Sequence, residues 1–128
     1  MAKTVLVVED DFFIRDLYRI ALEKKGNKVV TATTGQEAIE AFNLAAPDVV
    51  LLDIMLPDFN GIEVLKFIRE KTDGKGKTPV IMVTNLDTPE SMNQALQLGA
   101  NAYWIKSTKD PMTVAEEVNH YYLGSAGN

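Results

Sequence analysis

Five short apolar runs, separated by segments of helical period, leave this chain few ways to fold. The runs are Thr4–Val8, Lys28–Thr33, Asp48–Leu52, Pro79–Thr84 and Asn101–Ile105. Each is mostly rich in Val, Ile or Leu and bounded by turn residues, the signature of a strand. The first, third and fourth are almost wholly apolar, as befits strands covered on both faces. The intervening segments carry helix start signals. Thr34-Gly35-Gln36-Glu37 reads as a capping box, and Ala38, Ala41, Phe42 and Ala45 follow at helical spacing. Thr88-Pro89 and Asp110-Pro111 each pair a capping side chain with proline at the first helical position. After the latter, Pro111, Val114, Ala115, Val118, Tyr121 and Tyr122 form one stripe. Gly26 and Gly99 stand where helices should stop. Five such βα units predict an α/β fold, a doubly wound five-stranded parallel sheet with helices on both faces.

Composition narrows the function. A chain of 128 residues fits one domain, and 46% hydrophobic content excludes general disorder. The absence of cysteine removes disulfides, thiolate zinc sites and thiol catalysis, and one histidine, His120, cannot make a multi-histidine metal centre. A net charge of −5 argues against nucleic-acid binding by this domain. The start lacks the apolar stretch of a targeting segment, and no run approaches the ~18 apolar residues of a membrane span. The expectation is a cytoplasmic protein with no membrane partner. Residues 1–124 read as one domain, Lys71–Thr78 as a polar loop within it, and 125–128 as a flexible C-terminal end.

In doubly wound sheets, function gathers at the carboxyl ends of the strands. Here the first run leads into Glu9-Asp10-Asp11 and the third into Asp53, while the fourth ends at Thr84-Asn85 and the fifth at Lys106-Ser107. Several carboxylates at one rim must bind protons or a cation. Oxygen ligands without sulfur or imidazole select Mg²⁺ or a similar ion, which accepts phosphoryl oxygens as further ligands. A carboxylate beside such an ion is a competent nucleophile toward phosphorus, with Lys106 and Thr84 placed to contact the transferred group. The product of that chemistry is an aspartyl phosphate. Taken singly, each aspartate could be a turn former or helix cap and the lysine a surface residue; their joint placement carries the argument.

The stretches VLVVEDD (5–11), DVVLLDIMLPDFNG (48–61), PVIMVTN (79–85) and LGANAYWIK (98–106) together resemble the receiver domains of two-component response regulators, of the chemotaxis-regulator type. The resemblance covers roughly Lys3 to Leu123. It implies a flavodoxin-like fold with strand order 2-1-3-4-5, and it assigns roles. Asp53 would be the phosphoacceptor. Asp10 would bind Mg²⁺ directly, Glu9 through water, and Asp53 and the Met55 carbonyl would complete the protein ligands. Thr84 and Lys106 would contact the phosphoryl group. Tyr103 matches the aromatic switch position, its ring turning inward on activation, and Pro57 and Gly61 match the turn after the third strand. The phosphodonor would be a histidine kinase or histidine phosphotransfer protein, and a downstream output protein or domain would read the modified α4-β5-α5 face. The family usually has proline, often with a cis bond, where this chain has Ser107; a cis bond without proline is costly, which favours a trans Lys106-Ser107 bond without deciding it.

This reading is of a signalling switch that modifies itself, not an enzyme. The alternatives are a small Mg²⁺-dependent phosphohydrolase and a phosphorylation-independent pseudo-receiver. Met55 stands where a haloacid-dehalogenase-type phosphatase needs a second aspartate. Gly76-Lys77-Thr78 lacks the earlier glycine and following helix of a P-loop. Trp104 reads as core or edge packing in preference to a docking anchor, and His120 as a surface residue near a helix end.

Overall fold

The computed structural model describes residues 2–72 and 78–124. The elements run β1 (Thr4–Val8), α1 (Phe12–Lys24), β2 (Lys28–Ala32), α2 (Gly35–Ala45), β3 (Val49–Leu52), α3 (Gly61–Thr72), β4 (Val80–Thr84), α4 (Pro89–Gln97), β5 (Ala102–Ile105) and α5 (Pro111–Tyr122), with a short 3-10 turn over Lys106–Thr108. All strand pairs are parallel, in the order β2-β1-β3-β4-β5.

The period of two in the central strands builds two cores. Leu6, Val8, Val50, Leu52, Val80 and Met82 meet Ala38 and Phe42 of α2, Leu65 and Ile68 of α3 and Ala95 of α4. The alternate residues Val5, Val7, Val49, Leu51, Ile81 and Val83 meet Tyr18 and Leu22 of α1 and Val114 and Val118 of α5. This is why those three strands are apolar throughout: neither face is left to solvent. No helix among the described residues is long and apolar enough to cross a membrane.

The helix signals act as their chemistry requires. The Thr34, Thr88 and Asp110 side chains accept from the N–H groups of Glu37, Ser91 and Thr113 respectively. Gly26 and Gly99 follow α1 and α4 with φ of 92° and 100°, a region costly for other residues. Several expectations need correction. β2 ends at Ala32, and β3, β4 and β5 each begin one residue later than their apolar runs. Lys71 belongs to α3, which runs to Thr72, because the helix persists through its polar end; the rest of that loop as far as Lys77 lies outside the described residues, as do residues 125–128. Glu37 reaches back to the Thr33 N–H and hydroxyl, both at 2.8 Å, in place of the Thr34 N–H of a strict capping box. In the α5 stripe Tyr121 is exposed, and Asn119 is buried instead, accepting from Asn27 Nδ2 at 2.8 Å. A polar residue takes an inward position there because a second amide meets it.

Candidate functional site

The sheet register brings the rim together. Val8 pairs with Leu52, so the next residues, Glu9 and Asp53, emerge side by side. Thr84 pairs with Ile105, which sets Lys106 just past the same edge. The Lys106 ammonium donates to Asp53 Oδ2 at 2.6 Å and lies 2.5 Å from Glu9 Oε1. Glu9, Asp53 and Thr84 are buried, while Asp10 is exposed. Carboxylate oxygens of Glu9, Asp10 and Asp53 all lie within 4.8 Å of one another. That donor set, three hard oxygens with one face toward solvent, fits a small divalent cation that keeps part of its water. Of the described residues, these form the group of acids and imidazoles compact enough to hold a metal.

Burial shapes the electrostatics. Loss of water raises the Glu9 pKa above the usual carboxylate value, against the opposing pull of the Lys106 hydrogen bond and the Asp11 N–H. Burial also works against the charge of Lys106, but its hydrogen bonds to Asp53 and Glu9 prevail and raise its pKa. The site is therefore a fixed ammonium between two buried carboxyl groups, with a third carboxylate at the open edge.

The loops that carry these groups are closely held. Met55 N–H donates to Asp53 Oδ1 at 3.1 Å, and Gly61 N–H to the Ile54 carbonyl at 2.7 Å, closing the β3–α3 loop on itself. A Cβ at Gly61 would stand 2.1 Å from the Asp53 carbonyl and 2.8 Å from Ile54 Cα, so this close approach needs glycine. Leu86 N–H donates to the Thr84 hydroxyl at 3.3 Å, and Tyr103 donates to the Leu86 carbonyl at 2.6 Å. Tyr103 is half-buried, its ring packed against the first core. The hydroxyl finds its acceptor on the inner side and the ring gains apolar cover there. The bond after Lys106 is trans, since the described chain has no cis peptide.

Two site-supporting residues escaped the sequence reading. Arg15 donates to the Glu9 carbonyl at 3.0 Å and so pins the β1–α1 turn. Asp58 accepts from the Gly35 and Gln36 N–H groups at 2.8 and 2.9 Å, tying the β3–α3 loop to the start of α2. Asp11 caps α1, accepting from the Ile14 N–H at 3.0 Å, and an arginine one helical turn past it was a usable signal for the first; nothing local announces the second. Trp104 packs against the second core with the Lys109 ammonium 5.0 Å from its ring centre, and His120 is exposed, both in keeping with their modest readings.

Residues 5–117 match the sequence model of the response regulator receiver domain family. The alkaline phosphatase synthesis transcriptional regulatory protein PhoP of Bacillus subtilis (strain 168) is 39% identical over 106 residues, covering 83% of this chain and 43% of that protein. A probable transcriptional regulator, ycf27, of Guillardia theta is 40% identical over 102 residues, covering 80% and 39%. The chain thus spans less than half the length of these curated relatives. A CheY-like response regulator receiver domain protein from Methanospirillum hungatei JF-1 superposes with a TM-score of 0.85 at 29% identity, over 97% of this chain and 96% of that one. The BeF3-activated DrrB receiver domain gives 0.84 at 31%, over 97% and 99%.

Proposed function

This chain belongs to the response regulator receiver domain family, and from that premise we propose that it is switched by phosphorylation of Asp53. The phosphodonor is a histidine kinase or histidine phosphotransfer protein, and Glu9, Asp10, Asp53 and the Met55 carbonyl hold Mg²⁺. The modified domain, residues 1–124, changes its affinity for an output protein or domain through α4, β5 and α5. The observation that carries this reading is the contact of the Lys106 ammonium with both Asp53 and Glu9.

In the proposed step an Asp53 carboxylate oxygen attacks the donor's phosphorus. The new oxygen–phosphorus bond forms as the bond to the donor's nitrogen breaks, and that electron pair leaves with the donor. Lys106 neutralises charge on the carboxylate and the incoming group, and the Thr84 hydroxyl donates to a phosphoryl oxygen. A divalent cation bound at the acidic rim would supply further positive charge to the phosphoryl oxygens.

The test is intact mass after incubation with Mg²⁺ and acetyl phosphate. One added phosphoryl group is expected on the wild-type chain and none on Asp53→Ala. Equal labelling of the variant overturns the assignment. Many turnovers of excess ester per chain would instead point to the phosphohydrolase alternative, and no labelling of the wild type to a pseudo-receiver.

A further inference from the structure

β4 and β5 pair as far as Thr84 and Ile105. Beyond that rung the chain parts into two loops, one carrying Asn85 and Leu86, the other Lys106 and Ser107. A single-residue bridge spans them: the Ser107 N–H donates to Asn85 Oδ1 at 3.1 Å. The bridge depends on two sequence choices at once. Residue 107 must own an N–H, which proline lacks, and residue 85 must offer a side-chain acceptor of the right length. Apart from those of the Lys106 ammonium itself, the other hydrogen bonds of the Lys106–Thr108 turn are local. Lys109 N–H meets the Lys106 carbonyl at 3.4 Å, and the Thr108 hydroxyl donates to the Ile105 carbonyl at 2.9 Å. Neither reaches beyond the end of β5 to the β4 side, and the first is long for a hydrogen bond.

Lys106 places its ammonium at the end of a flexible four-carbon stem, so where that ammonium lies depends on where its backbone is held. We propose that Asn85 is a positioning residue for Lys106: by accepting the Ser107 N–H it fastens the turn after β5 to the loop after β4, and so keeps the Lys106 ammonium on Asp53 and Glu9. The same strap joins Lys106 to the loop that begins at Thr84, so the two residues assigned to the phosphoryl group are held by one hydrogen bond between their chain neighbours. The kinetic consequence rests on the reading of Asp53 as phosphoacceptor; the strap itself does not.

Two measurements test it. Hydrogen exchange of the Ser107 amide, followed by NMR, should quicken about tenfold in Asn85→Ala while amides in the central strands keep their protection. The rate of Asp53 phosphorylation by acetyl phosphate should fall about fivefold in Asn85→Ala, the scale of one hydrogen bond. In a Ser107→Pro background, where no N–H remains to be accepted, Asn85→Ala should change that rate by less than about twofold. A residue that merely fills space or shields the rim would give equal losses in both backgrounds. Equal losses, no loss in either, or unchanged Ser107 exchange overturns the proposal. A wild-type chain that takes no phosphoryl group overturns the reading of Asp53 instead, and Ser107 exchange then decides the strap by itself.

Discussion

Lys106 reaches Asp53 across an intervening strand, donating to its Oδ2 at 2.6 Å although β4 lies between β5 and β3. Neighbouring strands stand about 4.8 Å apart, so the two backbones are separated by roughly 10 Å. A short side chain at the end of β5 would not span that gap. The long lysine stem does, and Glu9, from the strand beyond, extends its own side chain to meet the same ammonium at 2.5 Å. The contact thus clamps the ends of three strands together.

Removing that ammonium leaves two buried carboxyl groups without their cation. Lys106→Ala should therefore lower unfolding stability by about 2 kcal/mol at neutral pH, less than for a fully buried pair because the side chain is 15% exposed. The same variant should bind Mg²⁺ more tightly, since a cation there no longer competes with a fixed positive charge. Urea denaturation with and without Mg²⁺ measures both effects. Unchanged stability together with unchanged Mg²⁺ affinity would show that the clamp has no energetic weight.

Gly61 is a second point of leverage. Its missing Cβ leaves room for the Asp53 carbonyl, and the nearest atoms a methyl would meet are backbone atoms. Flexible side chains can yield to such a clash, but here the β3–α3 loop itself must move. Gly61→Ala should cost about 2–3 kcal/mol, in the range of overpacked interior sites, and should slow labelling of Asp53 at least tenfold as the carboxylate shifts. A variant with wild-type stability and labelling would mean that the loop gives way freely.

Tyr103 and Leu86 are joined by a 2.6 Å bond from the phenol to the Leu86 carbonyl. Tyr103→Phe deletes the donor but keeps the ring, so the expected loss is about 1 kcal/mol, that of a part-buried hydrogen bond. Amide exchange in the loop from Asn85 to Asp87 should quicken relative to the sheet. If exchange there is unaltered, the inward ring does not hold that loop.

Much of this architecture was legible because its causes are local. Unbroken apolar runs at Val5–Val8, Val49–Leu52 and Val80–Val83 mark strands covered on both faces, and the capping residues Thr34, Thr88 and Asp110 specify where helices begin. The rim groups were legible because each directly follows an apolar run. What was hidden depends on contacts distant in sequence. Asp58 meets Gly35 and Gln36 across more than twenty residues, and Ser107 meets Asn85 across a similar span. The α5 stripe omits Asn119, since its partner, Asn27, lies 92 positions away. The direction of the Tyr103 ring was illegible for the same reason: its acceptor is a carbonyl on another loop.

Asp110 links a helix cap to pH. Hydrogen bonds from the Thr113 backbone and hydroxyl, and from the Met112 N–H, hold its carboxyl below the ordinary value of 3.8. A depressed folded-state pKa contributes stability that is present above 3.8 and is lost as pH falls through the folded value. Asp110→Asn keeps an oxygen for capping but does not titrate. The melting temperature of the wild type should thus decline more steeply than that of the variant as pH is lowered from 4 to 2. Parallel declines would remove Asp110 as a source of acid sensitivity.

The last expectation concerns the lifetime of the proposed aspartyl phosphate, and it follows from Met55 and Leu86. Met55 is two residues past Asp53 and 61% exposed, its N–H fixed on Asp53 Oδ1. Leu86 is two residues past Thr84, and it packs partly against the first core while its N–H meets the Thr84 hydroxyl. A carboxylate or amide at either position could hold a water in line with the phosphorus or accept its proton. A thioether and an isobutyl group do neither. Of the two, Met55 is the one free to cover the open edge of the site, because Leu86 is already engaged with the core. Each missing polar group is expected to slow hydrolysis about tenfold, equivalent to roughly 1.4 kcal/mol of barrier. The phosphorylated protein should therefore persist for many minutes to hours in Mg²⁺, suiting a slow response. Loss of phosphate from the purified wild type, followed beside a Met55→Asn, Leu86→Glu double variant, measures this directly. The double variant should dephosphorylate well over tenfold faster, and each change made singly about tenfold faster. A wild-type half-life of seconds, or a double variant no faster than wild type, would refute the argument.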